Sequence, residues 1–347
     1  MPTKQEQELA SEEITEVAPG VLRMQLPIMF TGLGHVNCYA LEDERGFAVV
    51  DPGLPGPEAW DGLLDRLGRA SIPLQRIHTV VVTHSHPDHF GGAARLRAET
   101  GADILTHASF RLWFERGSDG LDDRPSDALD DPEEWHNRPT PWGTTFQPPM
   151  DGEMSKMREN MRSNDHTPRP TRRVEDADVV MLGRREWVSM HTPGHTPDHL
   201  CLYDPANGVV LSGDHVLPTI TPHIGAMDGI AEDPLKEFFH ALDRMAALPD
   251  IKVALPAHGH PFHDLAKRCI EIEEHHDGRL QRLRDASTEL GRPATVHELM
   301  QHLFAERAWG SMAESETYAH LEHLRLSHEA TSSWSDGLLC YEVTASE

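Results

Sequence analysis

Within six residues the chain places His84, His86, Asp88 and His89, as His-Ser-His-Pro-Asp-His. Imidazole nitrogen and carboxylate oxygen are donors that first-row divalent cations accept. In an extended segment, side chains two positions apart point the same way, so His84 and His86 can grip one ion. The turn imposed by Pro87 can aim Asp88 and His89 towards a second ion. The pattern recurs downstream, in His191-Thr192-Pro193-Gly194-His195-Thr196-Pro197-Asp198-His199, in Ser212-Gly213-Asp214-His215 and in Pro256-Ala257-His258-Gly259-His260. Each of these stretches follows an apolar run. One histidine at a strand end is ordinarily structural, but recurrence at successive ends points to a shared metal site. Asp51 closes another such run and falls where α/β folds put their sites.

The positioning elements follow from periodicity. Apolar, β-branched runs predict strands over residues 14–17, 21–27, 36–41, 46–50, 79–82, 102–107, 174–182, 186–191, 209–212 and 252–255. Residues 57–70, 91–99 and 234–248 read as helices, the first with Trp60, Leu63, Leu64 and Leu67 on one face. Alternating strands and helices imply a layered α/β architecture. The pattern breaks down over 108–176, where Trp113, Trp135, Trp142 and a Met150-Met154-Met157-Met161 series occur among prolines. A long insertion between scaffold strands is where lids and binding loops occur, and this one is expected to cap the site.

A long helix over 263–290 leads into the tail, with the pair His275-His276 expected on its solvated face. A second helix is expected over 294–307, with Val296, Leu299, Met300, Leu303 and Phe304 at apolar spacing. A third follows over 314–326, and a strand over 337–343. The expected division is a catalytic domain over 14–265 and a mainly helical domain over 266–347.

The composition limits the partners. The 347 residues carry 31 basic and 57 acidic side chains, a formal charge of -26. Such a surface repels phosphate backbones and anionic membranes. Arg162, Arg169, Arg172 and Arg173 are the nearest thing to a basic patch, and Glu175, Asp176 and Asp178 follow at once. No apolar run has membrane-spanning length. The first 13 residues are polar and acidic with no apolar core, so no signal peptide is expected. Cys38, Cys201, Cys269 and Cys340 are scattered, without a CxxC, which fits reduced thiols in a cytoplasmic protein.

Taken together, these motifs resemble the metallo-β-lactamase superfamily. Its HxHxDH signature is matched by His84, His86, Asp88 and His89. Its single downstream ligands are matched by His195, Asp214 and His258, and its early structural aspartate by Asp51. The resemblance implies a four-layer αβ/βα sandwich with the site on one edge, between two sheets. It implies that His84, His86 and His195 hold one metal, that Asp88, His89 and His258 hold the other, and that Asp214 bridges them. Asp198 departs from the glycine that relatives often carry, which bears on the surroundings of the ligands or on the substrate wall. With the coordination set full, His199, His215, His223 and His260 are expected behind the ligands or along that wall. Asp51 is expected to brace the histidine loop by hydrogen bonding. The helix-helix-strand tail resembles the winged-helix-like appendage of some lactamase-like hydrolases, RNA-cutting members included. Residues 270–347, however, hold 6 basic and 15 acidic residues, which argues for packing or dimerisation instead.

Nitrogen and oxygen donors without cysteine suit two zinc ions and admit iron or manganese. Two ions sharing a water would lower its pKa enough to supply a bridging hydroxide at neutral pH. Asp88 could both bind metal and orient that nucleophile. There is no GxSxG elbow, and a protein nucleophile is unnecessary. The expected activity is dinuclear hydrolysis of a small-molecule ester, thioester or lactone, with no nucleic-acid or membrane partner. A phosphodiesterase or ribonuclease of the same fold is one alternative. A non-hydrolytic, iron-dependent redox or sulfur-handling protein is the other.

Overall fold

The computed structural model describes residues 4–30, 32–112, 139–147, 167–226 and 232–344. The methionine series, Trp113, Trp135 and most of the expected cap lie outside them. Seven strands form the first sheet in chain order: β1 (Thr15–Ala18), β2 (Val21–Phe30), β3 (Leu33–Glu42), β4 (Phe47–Val50), β5 (Ile77–Val81), β6 (Asp103–His107) and β7 (Arg172–Val174). Pairing is antiparallel as far as β4 and parallel from there on. The change comes where helical crossovers begin, because parallel neighbours need a long return path. Helix α1 (Pro57–Arg69) joins β4 to β5, while the short α2 (Pro87–Phe90) and α3 (Ala93–Thr100) join β5 to β6.

The second sheet contains β8 (Val179–Leu182), β9 (Arg185–His191), β10 (Leu200–Asp204), β11 (Val209–Gly213) and β12 (Val253–Pro256), in the order β12-β11-β10-β9-β8. Its single parallel pair, β11 with β12, is bridged through α4 (Pro234–Ala246). Tyr39, Leu41, Val81 and Leu105 of the first sheet pack against Trp187, Leu200, Leu202 and Leu211 of the second. Trp60, Leu63, Leu67 and Leu96 cover the outer face of the first sheet. Phe238, Leu242 and Met245 cover that of the second. The molecule is therefore the four-layer αβ/βα sandwich, and its strands β10, β11 and β12 are buried along their whole length.

The chain continues through α5 (Leu265–Leu290), β13 (Ala294–Thr295), α6 (Val296–Leu303), α7 (Ser311–Leu326), β14 (Ala330–Ser335) and β15 (Leu338–Val343), with a small sheet ordered β13-β15-β14. Thr295 and Glu298 form a reciprocal capping box that starts α6. Leu280, Leu283, Leu299, Leu321 and Tyr341 belong to the same apolar cluster as Phe238 and Leu242. The C-terminal elements thus extend the layer that covers the second sheet.

Three local expectations are corrected. The single strand read over 174–182 is two, β7 and β8, in different sheets. The chain turns at 175–178, where Asp178 caps Glu175 and Ala177 takes a left-handed φ of 66°. The helix read over 294–307 is a short strand, the eight-residue α6 and a 3-10 turn. His276 is not solvated. It is fully buried, with Nδ1 3.0 Å from Nε2 of His320. Among the described residues no helix is long and apolar enough to cross a membrane.

Candidate metal centre

Five strand ends on one edge of the sandwich deliver the site. β5 runs into the loop bearing His84, His86, Asp88 and His89. β9 runs towards His195, β11 into Asp214 and β12 into His258, and β4 ends at Asp51. Two groups of side chains are brought within metal-sharing distance: His84, His86, His195 and Asp214, and Asp88, His89 and His258. In the first, Nδ1 of His86 lies 3.0 Å from Nε2 of His84 and 3.1 Å from Nε2 of His195. In the second, Oδ2 of Asp88 lies 3.4 Å from Nε2 of both His89 and His258. Asp214 faces both groups. Its Oδ2 is 3.6 Å from Nε2 of both His195 and His89, and its Oδ1 is 3.3 Å from Nε2 of His258.

The far nitrogens are fixed from behind. Nδ1 of His195 donates to the His223 carbonyl at 2.7 Å, and Nδ1 of His258 to the His35 carbonyl at 2.6 Å. Nδ1 of His89 donates to Oδ2 of Asp51 at 2.9 Å. The Thr83 hydroxyl donates to that same oxygen and so accepts from Nδ1 of His84. By this assignment the Nε2 lone pairs of His84, His89, His195 and His258 all point inward. They meet one another and two carboxylates. Nε2 of His89, Nε2 of His258 and Oδ1 of Asp214 are buried without a hydrogen-bond partner. Buried polar atoms left in this way are costly, and a shared divalent cation would satisfy them together. The donor set fits the metal its chemistry implies.

Electrostatics agree. Burial, reinforced by neighbouring imidazoles, holds His84 well below its ordinary pKa and lowers His86 to about 3. Burial acts the same way on His89 and His258, but there the carboxylates outweigh it and raise both. Asp88 and Asp214 are held low by those histidines against the cost of burial. The two carboxylates thus favour positive charge beside His89 and His258, while burial keeps His84, His86 and His195 neutral donors.

The remaining candidates occupy a range of positions. Asp51, at a left-handed φ of 52°, accepts from the Thr83 N–H at 2.9 Å besides His89. His199 is buried behind Asp214, accepting its N–H on Nε2 at 3.0 Å and touching Thr192 Oγ1 through Nδ1 at 2.8 Å. His215 is buried against the Phe238 ring at 4.9 Å, with the His199 ring 5.9 Å away. Asp198 accepts from Ser85 Oγ at 3.1 Å, and burial raises its carboxyl to about 7. His260 turns outward to Glu8, 2.8 Å away. Of the wide insertion, Trp142 is buried in the C-terminal layer, its indole donating to Glu314 at 3.1 Å.

Sequence reasoning missed the residues that anchor the His258 loop. Nδ2 of Asn37 donates to the carbonyls of Pro256 and Gly259, and the Tyr39 hydroxyl donates to Pro256, at 2.7–2.9 Å. The Gly259 N–H donates to Nε2 of His35. His35, Asn37 and Tyr39 alternate along β3, and polar residues at every second position of an otherwise apolar strand were the available signal.

A family model described as the metallo-beta-lactamase superfamily matches residues 31–258. The chain is 23% identical over 338 residues to a Bacillus subtilis protein described as a probable metallo-hydrolase, YqjP, covering 93% of this chain and 98% of that one. It is 26% identical over 216 residues to the hydroxyacylglutathione hydrolase of Maricaulis maris, covering 60% of each. A crystal structure of a metallo-beta-lactamase family protein from Thermus thermophilus superposes with a TM-score of 0.75 at 29% identity, covering 94% of this chain and all of that one.

Proposed function

The chain belongs to the metallo-beta-lactamase superfamily and is a metal-dependent hydrolase, and on that premise we propose that it cleaves an ester, thioester or lactone at a two-metal centre. One observation carries the two-metal reading: the Asp214 carboxylate faces both donor groups, one oxygen reaching His195 and His89 and the other His258. His84, His86 and His195 would hold one ion, and Asp88, His89 and His258 the other. Zinc suits these donors, with iron or manganese as the other candidates. Bound there, the ions would activate a water and polarise the scissile carbonyl.

The chain's own residues fix the geometry. Asp51, Thr83, His35 and the His223 carbonyl hold the imidazole tautomers, so that no ligand must reorient. Asp88, kept ionised by His89 and His258, would both bind metal and orient the attacking water. The formal charge of -26 opposes a polyanionic substrate and favours a compact acyl compound. The similarity to hydroxyacylglutathione hydrolases supports a thioester among these. Nucleic acid is not a partner in this reading. Four free, buried cysteines suit a cytoplasmic setting.

The test is a rate comparison across S-acyl thioesters, p-nitrophenyl esters, lactones, bis-p-nitrophenyl phosphate and single-stranded RNA. Hydrolysis of an acyl substrate should give the highest kcat/KM. Faster cleavage of the phosphodiester or the RNA would overturn the acyl assignment.

A further inference from the structure

The segment after Asp214 leaves the metal centre and returns to it at His223, whose carbonyl accepts the Nδ1–H of His195. Charged side chains from outside the two sheets hold it along the way. Glu6 accepts from the N–H groups of Thr219 and Ile220, at 2.7 and 3.2 Å. Arg268 of α5 donates to the carbonyls of Leu217 and Ile220, both at 2.7 Å. At the far end, Oε2 of Glu316, buried on α7, lies 3.6 Å from Nδ1 of the His223 ring. The same carboxylate pairs with Arg279 of α5. Burial works against its charge, yet His223 and Arg279 keep its carboxyl well below the usual range. On the side of the ring that faces Gly225, space is tight. A Cβ on Gly225 would sit 2.5 Å from Nε2 of His223 and 2.6 Å from Oγ of Ser315 on α7.

We propose that Glu316 is a positioning residue for the metal centre, acting through His223 on His195. The carboxylate fixes the ring, the ring fixes its own backbone, and that backbone carbonyl sets the tautomer and direction of His195. The C-terminal helices thereby set the affinity of the His84–His86–His195 group for its ion, an inference that rests on the metal reading above. Groups that orient a ligand in this manner typically change metal affinity without touching the metal.

The experiment uses the full chain and Zn²⁺ affinity, read by competition with a chromophoric chelator, with circular dichroism as the check on folding. His223→Ala removes the ring and leaves the Glu316–Arg279 pair in place. Glu316→Gln keeps the shape and removes the charge. Each should weaken one of two Zn²⁺ ions roughly tenfold and leave the other as in the parent chain. His223→Asn, which keeps a donor on the side chain, should recover part of the loss. If Glu316→Gln fails to fold, His223→Ala decides alone. Parent-like Zn²⁺ affinity in folded His223→Ala overturns the proposal. A parent chain that binds no Zn²⁺ removes the metal reading itself and the proposal with it.

Discussion

At the scale of single residues, Asp214 and His199 separate holding a metal from arranging its holder. Asp214 aims carboxylate oxygens at both donor groups. His199 spends its ring nitrogens on the Asp214 backbone N–H, Thr192 and the Cys201 sulfur. The space between them is so limited that Gly213, at a left-handed φ of 51°, could carry a Cβ only 2.6 Å from Nε2 of His199. Asp214→Ala should therefore leave at most one Zn²⁺ per chain and abolish turnover. His199→Ala should keep both ions and bind them roughly 10–100-fold more weakly. Zinc analysis after dialysis against graded chelator distinguishes the two variants, and equal losses would show that His199 is itself a ligand.

At the scale of elements, α5 and α7 meet through two buried histidines with a definite pH signature. Nδ1 of His320 donates to the Glu316 carbonyl at 2.7 Å, so its Nε2 accepts from Nδ1 of His276. Burial, aided by the His320 ring and Arg279, lowers His276 to about 2, and burial, aided by Arg279, lowers His320 to about 4. Below pH 6.5 the unfolded chain gains protons that these rings refuse, so stability falls as pH falls towards the folded values. At pH 5 the loss is about 2 kcal/mol per ring. Urea unfolding of the metal-free chain should thus show a smaller drop between pH 7.5 and pH 5 for His276→Gln than for the parent. Equal drops would mean that His276 is protonated in the folded state.

The same elements show what could be read from sequence and what could not. The candidate ligands at the ends of β5, β9, β11 and β12 were legible because apolar runs break abruptly into histidine and aspartate. Strand β10 was missed because Leu200–Asp204 directly follows a ligand-rich loop with no turn signal between them. β14 was missed because Thr331, Ser332 and Ser333 look like loop residues, and only pairing with β15 makes them a strand. The burial of His276 was illegible because α5 is charged on most sides. It is the packing of α4 and α7 that hides that ring. Glu316 gave no signal either, since its partner His223 lies 93 positions away in the chain and they meet only through the fold.

At the scale of the whole molecule, the sandwich presents five strand ends at one edge, and the C-terminal elements share its apolar layer while holding, through Glu316 and Arg268, the segment that leads from Asp214 to His223. The account stands on two ions acting together in hydrolysis of an acyl bond. The most direct test is to strip the chain with chelator, add Zn²⁺ in measured equivalents and follow turnover of whichever acyl substrate is fastest. Activity should be absent from the stripped chain, rise steeply with the second equivalent and level off at two per chain. Turnover that survives stripping, or that levels off at one equivalent, would contradict the account.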